Sequence, residues 1–391
     1  GRMTIGDYFG ETALVEDTPR PATVTAVNEV DVMVLSRDDF SLVKEVLAKT
    51  IQADMRNRET GMREAERAAY GRNLAFGDLQ EVSILGTGTF GRVSLVRYRE
   101  DEHVFALKAL VKEQIEIRDQ ASNLIEEKSI LMACDHPFIV SCIKTFVDEA
   151  KVYFLTEFVP GGELFSVIHT DMSDGVHQET AKFYALGVTL ALAHLHGLNV
   201  AYRDLKPENV MIDKYGYPKL IDMGFAKRVP EITFTLCGTP EYIAPEIVLG
   251  KGYGRPVDWW ALGVLVYEMI AGFSPFADTQ TADQMKILKA IVMSSPSFGK
   301  NFGYEARDFC EQLLIKNQAK RLGSVRLKHR EVLAHEWFDT LDIDDYLAKR
   351  LQAPWEPALS DDTDTSNFDP CSEADIVARP IRTEWEDEFR S

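Results

Sequence analysis

The feature that most constrains this chain of 391 residues is the segment Tyr202–Asn209, which carries a carboxylate, a cation and an amide at fixed spacing. Asp204 is suited to orient or deprotonate an attacking hydroxyl, and Lys206 to neutralise a moving phosphate. Asn209 and, further on, Asp222 add amide and carboxylate oxygens, the hard ligands that Mg²⁺ prefers. Phosphoryl transfer from a nucleotide needs a base, a cation and metal ligands, so these residues predict that chemistry.

A glycine-rich segment lies upstream of this group. Gly86, Gly88 and Gly91 have the spacing G-x-G-x-x-G, which taken alone also suits a dinucleotide-binding turn or a plain glycine-rich hairpin. A dinucleotide-binding turn leads into a helix, whereas the run Val93–Val96 predicts a strand. This excludes the dinucleotide-binding alternative and favours a hairpin whose backbone amides approach nucleotide phosphates.

A lysine and a glutamate follow in the order that such a site requires. Lys108 ends a predicted strand, and Glu127 lies on the helix predicted over residues 112–133. A lysine that holds the α- and β-phosphates needs a carboxylate to keep it oriented. Either residue alone would be typical of a solvated surface, so the prediction depends on their joint occurrence with the other motifs.

The composition sets wider limits on the chain. A length of 391 residues with 45% hydrophobic residues suits two or three units with cores of their own. The five cysteines form no C-x-x-C pair, which predicts reduced thiols and a cytoplasmic protein. We expect no membrane span, because no run of about 18 apolar residues occurs. The net charge of −19 argues against nucleic-acid binding. The first residues have no signal-peptide pattern and begin mid-pattern, so we expect a fragment.

Three longer motifs, Thr235–Tyr242, Asp258–Gly263 and Asp364–Asp369, identify the family that the chain resembles. Together with Ala244–Glu246, which closes the expected activation segment, they make residues 79–391 similar to the AGC group of Ser/Thr protein kinases. The cyclic-nucleotide-dependent branch is the most similar. The resemblance implies an α+β bilobal kinase fold, with a β-rich amino-terminal lobe, a helical carboxy-terminal lobe and an extended C-terminal tail.

The resemblance also implies where ATP and Mg²⁺ bind. Asn209 and Asp222 are the implied metal ligands, and Thr156 falls at the gatekeeper position before a hinge strand whose backbone would hold adenine. The residues implied to bind ATP are Leu85, Gly86, Gly88, Gly91, Val93, Ala106, Lys108, Glu127, Glu157, Val159 and Glu163.

Further implied roles concern the protein substrate and the activation segment. Thr235 matches the activation-loop phosphosite, with Arg203 and Lys227 as partners of its phosphate. Glu246 and Arg321 are expected to form a structural ion pair. Glutamates at three positions match those that bind basic substrate residues upstream of the phosphorylated Ser or Thr, namely Glu163, Glu208 and Glu268.

The sequence departs from the family pattern at three positions. Met223 stands where Phe is usual after the metal-binding Asp, and an apolar, adaptable Met should preserve the packing. Cys142 stands where Leu usually completes an apolar row with Leu131 and Tyr202, so this row should be smaller. Asn123 stands where a relative uses His to reach the activation-loop phosphate, so we expect weak coupling from Thr235 to the helix.

The first residues resemble a different module, the phosphate-binding cassette of cyclic-nucleotide-binding domains. Within it, Gly10 and Glu11 would lie at the ribose, and Arg20 would pair with a cyclic phosphate. A cassette on the same chain as a kinase resembles cGMP-dependent protein kinase. In that family a Thr often follows the cassette Arg and reads guanine, whereas Pro21 has no hydroxyl. The preference for cGMP over cAMP is therefore inferred from the architecture.

These observations together predict four regions. They are part of a β-roll cyclic-nucleotide-binding domain (1–50), a helical linker (51–78), a protein kinase catalytic domain (79–338) and a C-terminal tail (339–391). The tail contains 15 acidic and 5 basic residues. The predicted function is a Ser/Thr kinase regulated by a cyclic nucleotide. A cAMP-responsive or nucleotide-independent kinase, a pseudokinase scaffold and a cyclic-nucleotide sensor are the alternatives.

Overall fold

The computed structural model describes residues 25–26, 70, 74–88, 91–169, 175–229, 232–277, 283–324, 329–369, 371 and 378–390. The chain divides into two compact units. The larger contains residues 67–342 and 353–391, and the smaller contains residues 1–66 and 343–352. The strands and helices given below belong to the larger unit, except for one short helix at residues 343–347.

A five-stranded antiparallel sheet forms the amino-terminal lobe, in the order β1-β2-β3-β5-β4. One side of the sheet packs into a cluster that includes Leu74, Tyr98, Phe105 and Leu155, as expected for alternating apolar positions on a half-buried sheet. The strands are β1 (Leu79–Thr87), β2 (Gly91–Tyr98), β3 (Val104–Val111), β4 (Cys142–Val147) and β5 (Lys151–Glu157).

Helices dominate the remainder of the larger unit. Two of them, α4 and α6, are buried almost all round and form the centre of the carboxy-terminal lobe. The helices are α1 (Lys112–Ile117), α2 (Ala121–Ala133), α3 (Leu164–Ile168), α4 (Gln178–Gly197), α5 (Pro245–Val248), α6 (Pro256–Ala271), α7 (Gln284–Met293), α8 (Tyr304–Leu313), α9 (His329–Leu333), α10 (Ile343–Leu347) in the smaller unit, and α11 (Glu386–Arg390). The predicted α+β bilobal fold is confirmed.

The prediction of one continuous helix over residues 112–133 was wrong. The structure has two helices, α1 and α2, and Asp119 between them adopts a left-handed conformation with φ of 52°. Asp tolerates this conformation better than most residues because its short polar side chain bonds locally. The apolar positions on either side continue a helical spacing across the break, so the pattern hid it.

Short strand pairs hold the loops of the carboxy-terminal lobe. Strand β6 (Val200–Ala201) pairs with β9 (Lys227–Arg228), and β7 (Val210–Ile212) pairs with β8 (Pro218–Leu220). The loop between β6 and β7 carries the Tyr202–Asn209 motif, and the loop between β8 and β9 carries Asp222. The strand pairs thereby bring together two motifs that the sequence separates.

The residues just before β1 pack against the sheet. Leu74 is buried, and its carbonyl oxygen accepts a hydrogen bond from Lys144 Nζ at 2.8 Å. The ring of Phe76 lies 4.6 Å from that of Tyr153 between centroids. The end of the predicted linker is therefore anchored to the amino-terminal lobe. Among the residues that the structure describes, no helix has the length and apolar composition needed to cross a lipid bilayer.

Candidate active site

The centre of the site is a lysine between two carboxylates. Lys108 Nζ lies 2.7 Å from Glu127 Oε1 and 3.3 Å from Asp222 Oδ1. Burial works against the charged ammonium, but the two carboxylates outweigh it and hold the pKa of Lys108 above its ordinary value. Burial raises the pKa of Glu127 despite this ion pair. The ammonium of Lys108, opposed by burial, holds the pKa of Asp222 below its usual range.

The predicted base and one predicted metal ligand are joined by hydrogen bonds. The Asn209 amide donates to the backbone oxygen and to Oδ2 of Asp204, both at 2.8 Å. Because its nitrogen is the donor, Oδ1 of Asn209 is the atom left to face a cation. Lys206 Nζ lies 3.6 Å from Asp204 Oδ2, and Thr239 Oγ1 donates to Asp204 Oδ1 at 3.3 Å.

A buried aspartate on α6 holds the loop that carries Asp204. The oxygens of Asp258 accept from the backbone amides of Tyr202 and Arg203 at 2.9 and 2.8 Å. His196 Nε2 lies 2.7 Å from Asp258 Oδ2. Arg203 has a φ of 68°, a strained value for a residue with a side chain, and these bonds hold it there. The predicted motif is thus anchored from the core of the carboxy-terminal lobe.

Only one glycine of the glycine-rich segment is required by the fold itself. A Cβ on Gly91 would lie 1.7 Å from the carbonyl oxygen of Ala109 on the neighbouring strand. A Cβ on Gly86 would meet nothing within 4 Å, and one on Gly88 would lie 3.9 Å from the Gly91 oxygen. The chain therefore leaves open space beside Gly86 and Gly88, as close approach of a ligand would require.

An apolar cluster lies beside the hinge. Leu85 of β1, with the partly buried Val93 and Ala106, belongs to a cluster that also contains Phe158 and Phe368. The rings of Phe158 and Phe368 stack with centroids 5.7 Å apart. Phe368 lies in a tail motif identified from the sequence, but its place in this cluster was not predictable because 210 positions separate it from Phe158.

The hinge side chains have structural partners. Glu157 Oε1 accepts from the Lys219 ammonium at 2.6 Å and from the Ser141 amide at 2.8 Å. The Glu157 carboxylate is therefore held by protein partners. Val159 is buried, and Thr156 Oγ1 lies 3.5 Å from the Ala106 oxygen.

Four glutamates form what we call the acidic cluster: Glu163, Glu208, Glu241 and Glu268. Burial and then the neighbouring Glu208 raise the pKa of Glu163 and also that of Glu241. Burial raises the pKa of Glu268, whereas a hydrogen bond from Tyr242 opposes the rise. Negative charge on neighbouring carboxylates thus contributes to the raised pKa of Glu163, Glu241 and Glu268. Sequence analysis missed Glu241, although it directly precedes the Tyr of a quoted motif.

The predicted phosphosite lies on an exposed part of the activation segment. Thr235 is exposed, and its backbone oxygen accepts a hydrogen bond from Tyr253 Oη. Arg203 contacts the same hydroxyl at 3.2 Å and donates from Nε to the Phe225 oxygen at 2.8 Å. Lys227 lies on β9, opposite Ala201. The structure thus brings Arg203 towards Thr235 through Tyr253.

The three departures from the family pattern fit the fold. Met223 and Cys142 are each fully buried, so the packing at both positions is retained. The Asn123 amide donates at 2.8 Å to the side chain of Gln120, the residue that precedes α2. A separate contact joins α2 to β9, because Glu126 Oε1 accepts from the Arg228 amide at 2.6 Å. Sequence analysis did not identify this contact.

Of two further predictions, one has an outcome in the structure. Arg321 donates to Glu246 through both guanidinium nitrogens at 2.7 and 2.8 Å, so the predicted structural ion pair is confirmed. The predicted cyclic-nucleotide residues Gly10, Glu11 and Arg20 lie outside the described residues.

Comparison with known proteins agrees with this geometry. The sequence-family model of the protein kinase domain matches residues 79–338, and the family model of the cyclic nucleotide-binding domain matches residues 1–44. The chain belongs to the protein kinase family. Its relatives place it among the AGC kinases that are named for cyclic nucleotides.

Three relatives illustrate the similarity. The cAMP-dependent protein kinase catalytic subunit of Dictyostelium discoideum is 41% identical over 80% of this chain and 47% of its own length. The human cAMP-dependent protein kinase catalytic subunit PRKX is 39% identical over 78% of this chain and 84% of its own length. The cGMP-dependent protein kinase of Toxoplasma gondii is 35% identical over 98% of this chain and 38% of its own length. The chain thus spans about half or less of two of these relatives.

Proposed function

We propose that this chain transfers the γ-phosphoryl group of Mg-ATP to Ser or Thr hydroxyls of basic protein substrates, under control of a cyclic nucleotide, with cGMP as the expected effector. The observation that carries the proposal is the joint assembly of two sets of residues. One set is the Lys108–Glu127–Asp222 ion-pair group, and the other is the hydrogen-bonded pair Asp204–Asn209. These are the parts that phosphoryl transfer requires.

Each residue has a chemical task in this proposal. Asp204, held by Asn209 and Thr239, orients the substrate hydroxyl and accepts its proton. Lys108 holds the α- and β-phosphates, with Glu127 keeping its ammonium in place. Lys206, beside Asp204, stabilises negative charge on the phosphoryl group in transit.

The residues present fit a magnesium ion. Asp222 stays ionised because Lys108 lowers its pKa, and Asn209 offers Oδ1 because its amide nitrogen is engaged by Asp204. These two side chains would hold the ion together with nucleotide phosphates and water, since Mg²⁺ at nucleotide sites takes few protein ligands. When bound, the ion supplies charge neutralisation and alignment of the phosphates.

The substrate preference follows from the acidic cluster. In addition to burial, the charge of Glu208 raises the pKa of Glu163 and of Glu268, and Lys206 and His169 oppose that rise only in part, so the cluster attracts cationic side chains. A substrate with Arg or Lys upstream of its acceptor hydroxyl would place that charge in the cluster. The choice of Ser and Thr as acceptors rests on the resemblance of residues 79–391 to the AGC group of Ser/Thr kinases.

Control by a cyclic nucleotide is supported by the matched residues 1–44 and by the Toxoplasma relative, which is named a cGMP-dependent protein kinase. Relatives named cAMP-dependent favour cAMP as the alternative effector. Five cysteines that form no disulfide are typical of a reducing compartment, so we propose a cytoplasmic location.

The test measures transfer from Mg-ATP to three peptides that share basic upstream residues and differ only in a Ser, Thr or Tyr acceptor. Each is assayed with no nucleotide, with cGMP and with cAMP. The proposal expects Ser and Thr peptides to be phosphorylated and the Tyr peptide not to be. Stimulation by cAMP alone would overturn the assignment of cGMP, and transfer to Tyr would overturn the acceptor class. Bound ATP without any transfer would favour a pseudokinase.

A further inference from the structure

His169 directly follows α3 and lies beside one glutamate of the acidic cluster. Its Nε2 is 3.6 Å from Glu268 Oε1, within ion-pair reach, and the two side chains are 30% and 11% exposed. The imidazole is packed against the Phe165 ring, with centroids 4.4 Å apart. The other oxygen of Glu268 accepts a hydrogen bond from Tyr242. Both oxygens of Glu268 thus have a neighbour before any substrate arrives.

Of the two neighbours, only histidine is a residue type whose charge commonly changes near neutral pH. A protonated His169 is a cation at ion-pair distance from Glu268, which is where a substrate arginine would bind. A neutral His169 leaves the carboxylate charge to the substrate. The state of one imidazole therefore decides how much of the Glu268 charge a basic substrate can use.

We propose that His169 is a specificity-determining residue that competes with substrate arginine for Glu268 and makes the preference for basic substrates dependent on pH. The proposal rests on the proposed function and extends it, since it identifies which group sets the strength of one substrate contact. His169 acts on binding and takes no part in the phosphoryl transfer itself.

Other groups near this pair also affect the pKa of Glu268. Glu241 and Glu208 contribute to the raised pKa of Glu268, after burial, while Tyr242 and His169 oppose that rise. Glu163 faces Glu208, Asp369 and Lys206 rather than His169. Because the pKa of Glu268 is raised, acid also weakens its own charge, in the same direction as protonation of His169. A pH series of the unmodified protein is therefore not enough, and variants must separate the two groups.

The experiment compares two Ser peptides that differ by one upstream residue, arginine or alanine. That residue is the upstream arginine whose replacement by alanine lowers kcat/KM for the unmodified protein but has no effect in Glu268→Gln. The quantity measured is the ratio of kcat/KM for the arginine peptide to kcat/KM for the alanine peptide, at about pH 6 and about pH 8. The ratio cancels pH effects on ATP, magnesium and the catalytic base, which both peptides share.

For the unmodified protein, the ratio of the two kcat/KM values is expected to be about threefold higher at the higher pH, because a partly exposed ion pair changes binding by about this factor. His169→Gln, which is never charged, should give the high ratio at the higher pH and retain most of it at the lower one. His169→Arg, which is always charged, should give the low ratio at both. The change should lie in KM for the arginine peptide, with kcat constant.

The control is His103→Gln, an exposed histidine in the turn before β3, which should behave as the unmodified protein does. Turnover of the alanine peptide reports whether each variant is folded. The inference is overturned if His169→Gln keeps the full pH dependence, or if His169→Arg matches the unmodified protein at the higher pH. No turnover with either peptide would overturn the proposed function, and this inference with it.

Discussion

Lys112 Nζ and Glu386 Oε2 lie 2.6 Å apart although 274 positions separate the two residues. The Lys112 side chain is 1% exposed, so its charge is almost completely removed from water. Around this pair, Phe389 is fully buried and its backbone oxygen accepts a hydrogen bond from Thr145 at 2.8 Å. Helix α11 thus packs against the amino-terminal lobe, where it contacts β4 and α2.

The first prediction concerns this ion pair. Glu386→Gln leaves a buried lysine without its carboxylate and should lower the free energy of unfolding by about 3 kcal/mol, because an unpaired buried charge is costly. Replacing both residues by leucine should recover most of the loss. Urea unfolding measures both, and Glu384→Gln, exposed two positions away, should change stability by less than about 0.5 kcal/mol. A single variant as stable as the unmodified protein would contradict the account.

The pH dependence of the same pair has a definite sign. The hydrogen bond from Lys112, opposed by burial, lowers the pKa of Glu386. A lowered pKa means that the pair contributes its stability above the ordinary carboxylate range, near pH 4, and loses it as the pH falls through the folded-state value. Stability measured from about pH 6 down to about pH 3 should therefore fall less steeply in Glu386→Gln. An equal slope would show that Glu386 is not responsible.

The second prediction concerns the lysine at the site. Glu127→Gln removes the closest carboxylate from Lys108 and leaves the ammonium to Asp222 alone. We expect kcat/KM to fall by about 100-fold, since small misplacements of a phosphate-holding group have effects of this size. A steady-state peptide assay measures the fall. Glu305→Gln, exposed on α8, is the matched control and should not change it. Full activity in Glu127→Gln would contradict the role given to this ion pair.

The third prediction separates structural from ligand-binding glycines. Gly91→Ala places a Cβ against the Ala109 oxygen, so the sheet must shift. The free energy of unfolding should fall by about 1–3 kcal/mol, which lowers the melting temperature by several degrees. Gly86→Ala and Gly88→Ala have room for a Cβ and should melt at or slightly above the unmodified temperature. They should nevertheless weaken ATP binding in calorimetry. Equal loss of stability in all three would contradict this division.

The fourth prediction concerns the thiols. Burial raises the pKa of Cys310, so its reactive thiolate is scarce and its sulfur is also inaccessible. Cys134 and Cys142 are buried as well, whereas Cys237 and Cys371 are partly exposed. Brief alkylation of the folded protein near pH 8 should therefore modify Cys237 and Cys371, as read by peptide mass spectrometry. Modification of all five in denaturant is the control. Early labelling of Cys310 would contradict the packing of α8.

The sequence predicted those parts of the site that depend on short spacing. Asp204, Lys206 and Asn209 lie on one loop, and five positions are enough to bring Asp204 and Asn209 into hydrogen-bond contact. The pairing of Lys108 with Glu127 followed from the order of strand and helix. Each of these contacts is local, or joins neighbouring elements.

Contacts between distant segments were not predictable in the same way. Phe368 reaches the hinge only because the tail returns across it, where Asn367 donates to the Pro160 oxygen at 3.1 Å. Lys112 and Glu386 are ordinary surface residue types, and nothing in their spacing indicates that they would be buried together. The break at Asp119 was missed because a single left-handed residue leaves the apolar spacing of its neighbours unchanged.

The most direct test of the central claim is transfer of a radiolabelled γ-phosphoryl group from Mg-ATP to a basic Ser peptide by the unmodified protein and by Asp222→Asn. Asp362→Asn, exposed on the tail, is the matched control. The account predicts transfer by the unmodified protein and the control, and a rate at least about 1,000-fold lower for Asp222→Asn, because a metal ligand essential to the transfer is lost. Comparable transfer by Asp222→Asn, or none by the unmodified protein, would contradict it.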